Sequence, residues 1–117
     1  MNHKDLEVWK KGIELVTDIY KLSNLLPDSE KYGLISQLRR AAVSIPSNIA
    51  EGAGRQSDKE LIQFLYISLG SLEEIETLII IGRNLNYFKE NEIETVTQKI
   101  EHIRKLIVGL IKYLKNK

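Results

Sequence analysis

The sequence predicts an all-α protein, an up-down-up-down four-helix bundle in which residues 1–117 form a single domain. Apolar residues recur at alternating spacings of three and four over most of the chain, and no strand-like alternation is sustained. Separators rich in Pro, Gly, Asn and Ser divide this pattern into four long segments joined by short connections. Short connections place consecutive helices next to each other and antiparallel.

Composition sets the first limits on function. The chain has 117 residues, 43% hydrophobic and 28% charged, which is typical of one ordinary globular domain. It has no cysteine, so disulfides and thiolate metal sites are excluded. A net charge of +1 gives no global sign of a nucleic-acid partner. The N-terminus has no apolar signal-peptide core, and the uncharged stretch 61–72 is far short of the roughly 18 apolar residues of a membrane span. We therefore expect a cytoplasmic protein without a membrane partner.

The first helix is predicted from an apolar stripe that the helical period brings onto one face. Its members are Leu6, Trp9, Ile13, Val16 and Tyr20. The segment Leu26-Pro27-Asp28-Ser29 ends this helix, because proline disfavours a helical residue before it and Asp and Ser favour turns.

The second helix is predicted to run from about Glu30 to Gly52 in spite of an internal proline, Pro46. Its apolar stripe is Leu34 or Ile35, Leu38, Ala42, Ile45, Ile49 and Ala53. This stripe keeps its phase across Pro46, although a proline inside a helix costs roughly 3 kcal/mol. A new helix starting after Pro46 would have no reason to stay in register, so we predict one helix kinked at Pro46. The hydroxyls of Ser44 and Ser47 lie close enough to help satisfy the freed backbone groups.

The third helix opens at Ser57, because Ser57 and Glu60 match a capping box, and it ends between Gly82 and Phe88. Its core stripe is Leu61, Leu65, Ser68, Leu72, Ile75 and Ile79. Further apolar residues cover most of the rest of its circumference: Ile62, Phe64, Tyr66, Ile67, Leu69, Leu78, Ile80 and Ile81. A helix that is apolar on several sides is buried on several sides, so this surplus predicts a subunit interface and a homo-oligomer.

The fourth helix carries the stripe Ile93, Val96, Ile100, Ile103, Ile107, Leu110 and Leu114. Acidic residues predominate between Glu73 and Glu94, and basic residues predominate between Lys99 and Lys117. Two explanations stay open: complementarity to the helix dipoles, or a basic binding surface at the end of this helix.

A polar stripe on the second helix lies opposite its apolar stripe. It comprises Arg40, Ser44, Ser47, Glu51 and Arg55, with Asn48 beside them. Short polar residues with low helix propensity favour a packed contact with another helix or subunit over a free surface. Gly52-Ala53-Gly54 then permits close backbone approach or a helix C-cap.

The arginines of this helix have competing roles. Arg55 can pair with Glu51 one helical turn away. Arg39 lies about 100° around the helix from Arg40, so one of them should be structural. We predict that Arg40 pairs with polar groups on the Glu51 side and that Arg39 is the freer charge.

The residues give no support to an enzyme, a cofactor or a metal site. Neither His3 nor His102 lies near a convincing serine, and a di-iron Glu-x-x-His pattern is absent because Lys99 precedes His102 by three. Glu73 and Glu76 share a helix face, whereas Glu74 does not. We therefore favour a solvated surface over a metal site for these three carboxylates. We predict no enzymatic activity.

Three stretches carry a resemblance to a known family. They are HKDLEVWKKGIEL at 3–15, YGLISQLRRAAVSIPSNIAEGAGR at 32–55 and FLYISLGSLEE at 64–74. The chain resembles the four-helix bundle proteins encoded within intervening sequences of bacterial 23S ribosomal RNA genes. The family motif matches at Arg39, Arg40, Pro46, Asn48, Glu51 and Gly52.

The resemblance implies a bundle with a bent second helix, assembled as a cyclic homopentamer and without an established enzymatic activity. The family is similar to accessory bundle proteins of diversity-generating retroelements, whose basic rings are thought to bind nucleic acid and a reverse transcriptase. The resulting candidates for binding RNA or DNA are Arg39, Arg40, Arg55 and Lys59, together with the basic end of the fourth helix. The alternative is an oligomeric scaffold that holds a protein partner and binds no nucleic acid.

Overall fold

The computed structural model describes all 117 residues, and they form helices without any strand. The elements are α1 (Glu7–Ser23), α2 (Leu34–Ala53), α3 (Asp58–Asn84) and α4 (Glu90–Lys115), with short 3₁₀ turns at His3–Asp5 and Asp28–Glu30. The predicted all-α four-helix bundle is confirmed. None of these helices has the length and apolar character needed to cross a lipid bilayer.

The helices pack around one core in the order in which they occur along the chain. Each helix contacts its sequence neighbours, and α4 closes the bundle against α1. The α2–α3 contacts Ser44–Ser71 and Ile45–Ser68 run in opposite directions along the two helices, so this pair is antiparallel. The bundle is 46 Å long with cross-section dimensions of 23 and 19 Å.

The core confirms the predicted stripe of α3 completely. All six of its residues are buried, including the hydroxyl-bearing Ser68. The stripe of α4 is confirmed except at Leu110, which is half-buried while its neighbour Ile111 is buried.

The predicted inner face of α1 is wrong. Ile13 and Tyr20 are exposed, and no member of the predicted stripe is buried. The buried residues of α1 are instead Val8, Gly12, Leu15, Ile19, Leu22 and Ser23. Helix α1 carries two apolar stripes, and Gly12 and Ser23 in the buried one add nothing to its apparent hydrophobicity. The stripe with the aromatic residues therefore looked stronger, although it lies at the edge of the core, with Leu6, Trp9 and Val16 only partly buried.

Helix α2 begins later than predicted and continues through its proline. The predicted start at Glu30 is wrong, because the chain makes a 3₁₀ turn there and enters the helix at Leu34 after a non-helical Gly33. Glu30 acts from outside the helix: its Oε1 accepts a hydrogen bond from the Leu34 N–H at 3.2 Å. The helix then runs without interruption through Pro46, which is buried. The predicted continuity is confirmed, and the kink angle stays a prediction.

Helix α3 begins as predicted. The Ser57 Oγ accepts a hydrogen bond from the Glu60 N–H at 3.3 Å and lies 3.0 Å from a carboxylate oxygen of Glu60. Ser57 is thus the N-cap, as predicted, but the reciprocal half of the predicted capping box is missing, because the Glu60 carboxylate accepts from the Ser57 hydroxyl and not from the Ser57 backbone N–H.

Candidate functional site

The polar residues in the middle of α2 contact α3. The Ser44 Oγ lies 2.8 Å from the Ser71 Oγ. The Asn48 side-chain amide donates to the Ser44 carbonyl at 2.8 Å and to the Ser44 Oγ at 2.9 Å. This small network satisfies the polar groups of the seam between the two helices. The predicted packed polar contact is thus confirmed for Ser44, which contacts α3 within the same chain, with Asn48 beside it. The rest of the predicted stripe is exposed: Arg40, Ser47, Glu51 and Arg55.

Close to this network, α3 also binds the backbone of α2 next to the proline. The hydroxyl of Ser68, which is fully buried, donates to the Ile45 carbonyl at 3.0 Å. Because Ser68 finds this acceptor, a polar group is tolerated in the centre of an apolar core.

Gly52 sets the distance between α2 and α3 near the end of α2. A Cβ built on Gly52 would lie 2.7 Å from the Phe64 Cβ and 3.0 Å from the Leu61 Cδ1. Side chains at these distances clash, so only glycine allows the helices to approach so closely. The family-motif glycine therefore has a packing role between α2 and α3.

Arg39 is the structural arginine of the pair Arg39–Arg40. Its Nε donates to the buried Ser23 Oγ at 2.9 Å, and its Nη2 donates to the Asn24 Oδ1 at 3.0 Å. Its guanidinium carbon lies 4.6 Å from the centre of the Tyr20 ring, a cation–π distance. Arg39 thereby joins α2 to the end of α1.

Arg40 is the freer charge, so the prediction that Arg40 is paired and Arg39 is free is wrong. Arg40 is exposed and makes no hydrogen bond or ion pair within the chain. The error arose because the partners of Arg39 belong to α1, and spacing within α2 cannot reveal them. Arg40 instead lines a cleft of about 210 Å³ beside Ser44, Ser71 and Glu74.

Arg55 is paired, as its spacing from Glu51 predicts. The Arg55 Nη2 lies 2.8 Å from the Glu51 Oε1. Its guanidinium also lies 5.1 Å from the Phe64 ring centre, although the ion pair itself is exposed. Lys59, the second residue of α3, is exposed and has no ion-pair partner.

The four cations predicted to bind nucleic acid do not form one patch. Arg39 faces α1, and Arg40 lies twelve residues before Gly52, or about 18 Å along the axis of α2. Lys59 belongs with Gly52 at the far end, because Gly52 packs on Leu61. Of the four, only Arg40 and Lys59 make no side-chain hydrogen bond or ion pair; Arg39 is held by neutral groups and Arg55 pairs with Glu51.

Arg104 is the centre of an ion-pair cluster that the sequence did not reveal. It binds Glu73 at 2.8 Å, Glu76 at 3.2 Å and also Glu101. The pKa of Arg104 is raised, chiefly because Glu73 accepts its hydrogen bond, with Glu76 adding to the effect against partial burial. Glu73 and Glu76 thus share a face, as predicted, but they bind α4 and are more than a solvated surface.

Two tyrosine–lysine pairs lie where α3 begins and α4 ends. The Lys115 Nζ donates to the Tyr66 hydroxyl at 2.9 Å and lies 5.3 Å from the ring centre. The Lys117 Nζ lies 5.8 Å from the ring centre of Tyr113. We call this region the tyrosine–lysine end. Its residues are Lys59, Tyr66, Lys112, Tyr113, Lys115 and Lys117. The sequence analysis predicted Lys59 by name and the other lysines as the basic end of the fourth helix. It predicted no binding role for Tyr113.

Apolar side chains are exposed on two sides of the bundle. A groove of about 360 Å³ runs between α1 and α2, lined by His3, Trp9, Ile13, Val16, Val43, Pro46, Ser47 and Ala50. The outer face of α3 exposes Tyr66, Ile67, Ile80 and Ile81, each by 40% or more. The stripe misassigned to the core of α1 therefore contributes to a surface groove.

Comparison with known proteins connects these features to a family. The family described as 23S rRNA-intervening sequence protein matches residues 4–109. The chain belongs to this family. Within its motif, Arg39 joins α2 to the end of α1, and Gly52 lets α2 approach α3 closely.

A solved structure supports the same fold for this chain. A Bacteroides thetaiotaomicron protein of unknown function from the S23 ribosomal protein family superposes with a TM-score of 0.83 at 27% sequence identity. The superposition covers 90% of this chain and 98% of that protein. None of the curated proteins matches this chain.

Proposed function

We propose that this member of the 23S rRNA-intervening sequence protein family is a non-enzymatic homo-oligomer that binds nucleic acid as an accessory protein of a ribonucleoprotein. The observation that carries the proposal is the set of exposed cations without carboxylate partners, Arg40, Lys59 and Lys112 among them. Such cations release counterions when they contact phosphates. The family resemblance to basic, ring-forming bundle proteins supports the same conclusion.

Assembly is supported by the two exposed apolar surfaces. The groove between α1 and α2 and the isoleucines of the outer face of α3, Ile67, Ile80 and Ile81, lie on different helices. Contact between two different surfaces of successive copies is heterologous, and such contacts form a ring when the rotation from one copy to the next closes. The expected number of five subunits rests on the family resemblance.

Light scattering tests the assembly. We expect a mass several times the 13.5 kDa of one chain. Ile67→Glu places a charge on the outer face of α3 and should shift the mass toward the monomer. Leu85→Glu, at a residue that is also about half exposed but lies in the α3–α4 connection, is the matched control. A wild-type mass of one chain at micromolar concentration would contradict the proposal.

A ring would strengthen nucleic-acid binding. Each subunit offers only a few free cations, but several subunits on one strand raise the apparent affinity by avidity. We therefore expect binding that weakens steeply with salt. Fluorescence anisotropy with labelled single-stranded and duplex RNA and DNA, measured over a salt series, would test this. Arg40→Gln should lower the salt slope by about one on a duplex if Arg40 contacts a phosphate.

The alternative function, a scaffold for a protein partner, is favoured by the groove between α1 and α2. Five of its eight lining residues are hydrophobic, among them Trp9, Ile13 and Val43. A groove of this kind suits an apolar partner segment, and the net charge of +1 adds no attraction for nucleic acid. If the oligomer binds none of the four nucleic acids at any salt concentration, the scaffold function is the better account.

A further inference from the structure

We infer that the tyrosine–lysine end is a site for single-stranded RNA, with Tyr66 and Tyr113 as stacking platforms for unpaired bases. This inference rests on the proposed nucleic-acid binding and assigns it to a place and a substrate class. Proteins that bind single strands combine cations that contact the phosphates with aromatic rings on which the bases stack. The tyrosine–lysine end has both.

The two tyrosine rings are available for stacking. Tyr113 is 61% exposed and Tyr66 is 48% exposed. Neither ring is part of the buried core, and each has a lysine ammonium within 6 Å of its centre. The hydroxyl of Tyr66 is held by Lys115, which fixes the position of the ring and keeps the cation beside it.

The charge around these rings is complementary to a phosphate backbone. Lys59, Lys112 and Lys115 have no ion-pair partner. Of the nearby carboxylates, Asp58 pairs with Lys117 at 3.1 Å, whereas Glu60 accepts a hydrogen bond from the neutral Ser57 hydroxyl and keeps its charge. Glu60 offsets one of these charges, so Lys59, Lys112 and Lys115 together leave a net positive charge around the rings.

A third tyrosine–lysine pair provides an internal comparison at the opposite end of the bundle. The Lys31 Nζ lies 5.6 Å from the ring centre of Tyr32, which is 87% exposed. Its neighbours along the chain are acidic, with Asp28 and Glu30 in the adjoining 3₁₀ turn. The same pair therefore occurs in surroundings that repel phosphate, and we expect no RNA binding there.

Rings that are exposed at a surface, outside any groove, favour unpaired bases. In a duplex the base faces are already stacked, so a tyrosine can stack only on bases that are free. Unpaired RNA segments present such bases without any melting cost. We therefore expect stronger binding to a single strand than to a duplex of the same length.

The test is fluorescence anisotropy of the wild-type protein with labelled oligouridylate, the matching oligothymidylate and an RNA duplex. We expect oligouridylate to bind more tightly than the duplex. Tyr66→Ala and Tyr113→Ala should each weaken oligouridylate binding by about fivefold or more, since stacking contributes that much per base. Tyr113→Trp should keep the affinity, because it retains a planar ring.

Two controls separate this site from a general loss of structure. Tyr32→Ala removes the most exposed tyrosine and should leave binding unchanged. Lys115→Gln should lower the salt slope on the single strand by about 0.7, which corresponds to one lost phosphate contact. Each variant is compared with the wild type for oligomer mass and melting temperature, so that a folding defect is recognised.

The outcomes distinguish the site from the proposed function. Wild-type binding that none of the tyrosine variants weakens would overturn the site and leave the proposed function intact. Equal losses for single strand and duplex would overturn stacking. A wild-type protein that binds no nucleic acid would overturn both the site and the proposed function. Tighter binding of oligothymidylate than oligouridylate would reassign the site to single-stranded DNA.

Discussion

In the seam between α2 and α3, Ser44 meets Ser71 and Ser68 donates to the Ile45 carbonyl, whereas at the tyrosine–lysine end Lys59 and Lys112 have no carboxylate partner. Both regions are rich in polar groups. In the seam those groups bind each other, and the residues come from the most distinctive stretch of the sequence. At the tyrosine–lysine end, side chains of common types leave charge and aromatic surface free. A distinctive motif can therefore mark a packing requirement while free binding groups lie elsewhere.

The largest expected loss of stability comes from a substitution in the seam. Gly52→Ala places a Cβ 2.7 Å from the Phe64 Cβ, and overpacking of this kind costs about 1–3 kcal/mol. Gly70→Ala is the matched control, because a Cβ there meets no atom within 4 Å. At this exposed helical position alanine should stabilise by up to about 1 kcal/mol. Denaturant unfolding measures both, and a Gly52→Ala protein as stable as the wild type would refute the close approach.

The next effect concerns the buried hydroxyl of the seam. Ser68→Ala removes the hydrogen bond to the Ile45 carbonyl and should cost about 1 kcal/mol. Ser47→Ala is the control, since Ser47 is exposed and makes no side-chain hydrogen bond in the seam. The free energy of unfolding from urea titrations compares the two variants. Equal losses would show that the buried hydroxyl adds nothing beyond helix propensity.

A smaller effect compares neighbouring arginines. Arg39→Gln loses two side-chain hydrogen bonds and the Tyr20 contact, so it should destabilise the protein by about 0.5–1 kcal/mol. Arg40→Gln removes no contact within the chain and should stay within about 0.5 kcal/mol of the wild type. Thermal melting of the two proteins side by side is sufficient. A greater loss for Arg40→Gln would reverse their assignment.

The smallest effect lies at the end of the bundle opposite the tyrosine–lysine end. The Tyr87 hydroxyl donates to the Glu30 Oε2 at 3.2 Å. The pKa of Tyr87 is raised above 10.0, chiefly because the group is partly buried and also because of this hydrogen bond. A raised pKa means that the contact stabilises the fold below pH 10 and is lost as the pH rises through the higher value. Ultraviolet titration should show one tyrosine ionising later than the others, and Tyr87→Phe should remove it. If all tyrosines ionise together, the contact is absent in solution.

The sequence predicted most of the fold because helical periodicity reports burial directly. The six residues of the predicted core stripe of α3 are all buried, as their spacing indicates. In α1 periodicity failed because two stripes compete, and Gly12 in the buried stripe hides its strength. The predicted start of α2 was wrong because Glu30 lies outside the helix. Its side chain accepts a hydrogen bond from the N–H of Leu34, the first residue of the helix.

The candidate site was less predictable, because its contacts join residues far apart in the sequence. Arg55 and Glu51 are one turn apart, and their pairing could be predicted. Arg39 binds Ser23 and Asn24 of a different helix, so no spacing rule identifies it. Whether an arginine is free depends on such partners, and only the packed structure supplies them.

The salt dependence of RNA binding tests the central claim, that free charge at the tyrosine–lysine end binds nucleic acid while Arg39 serves the fold. The measurement is the slope of log affinity against log salt for a single-stranded RNA. Exchanging both Lys112 and Lys115 for Gln should reduce this slope by about 1.4, since each phosphate contact contributes about 0.7. Arg39→Gln should lower stability and leave the slope unchanged. An unchanged slope for the double lysine variant together with a reduced slope for Arg39→Gln would contradict the account.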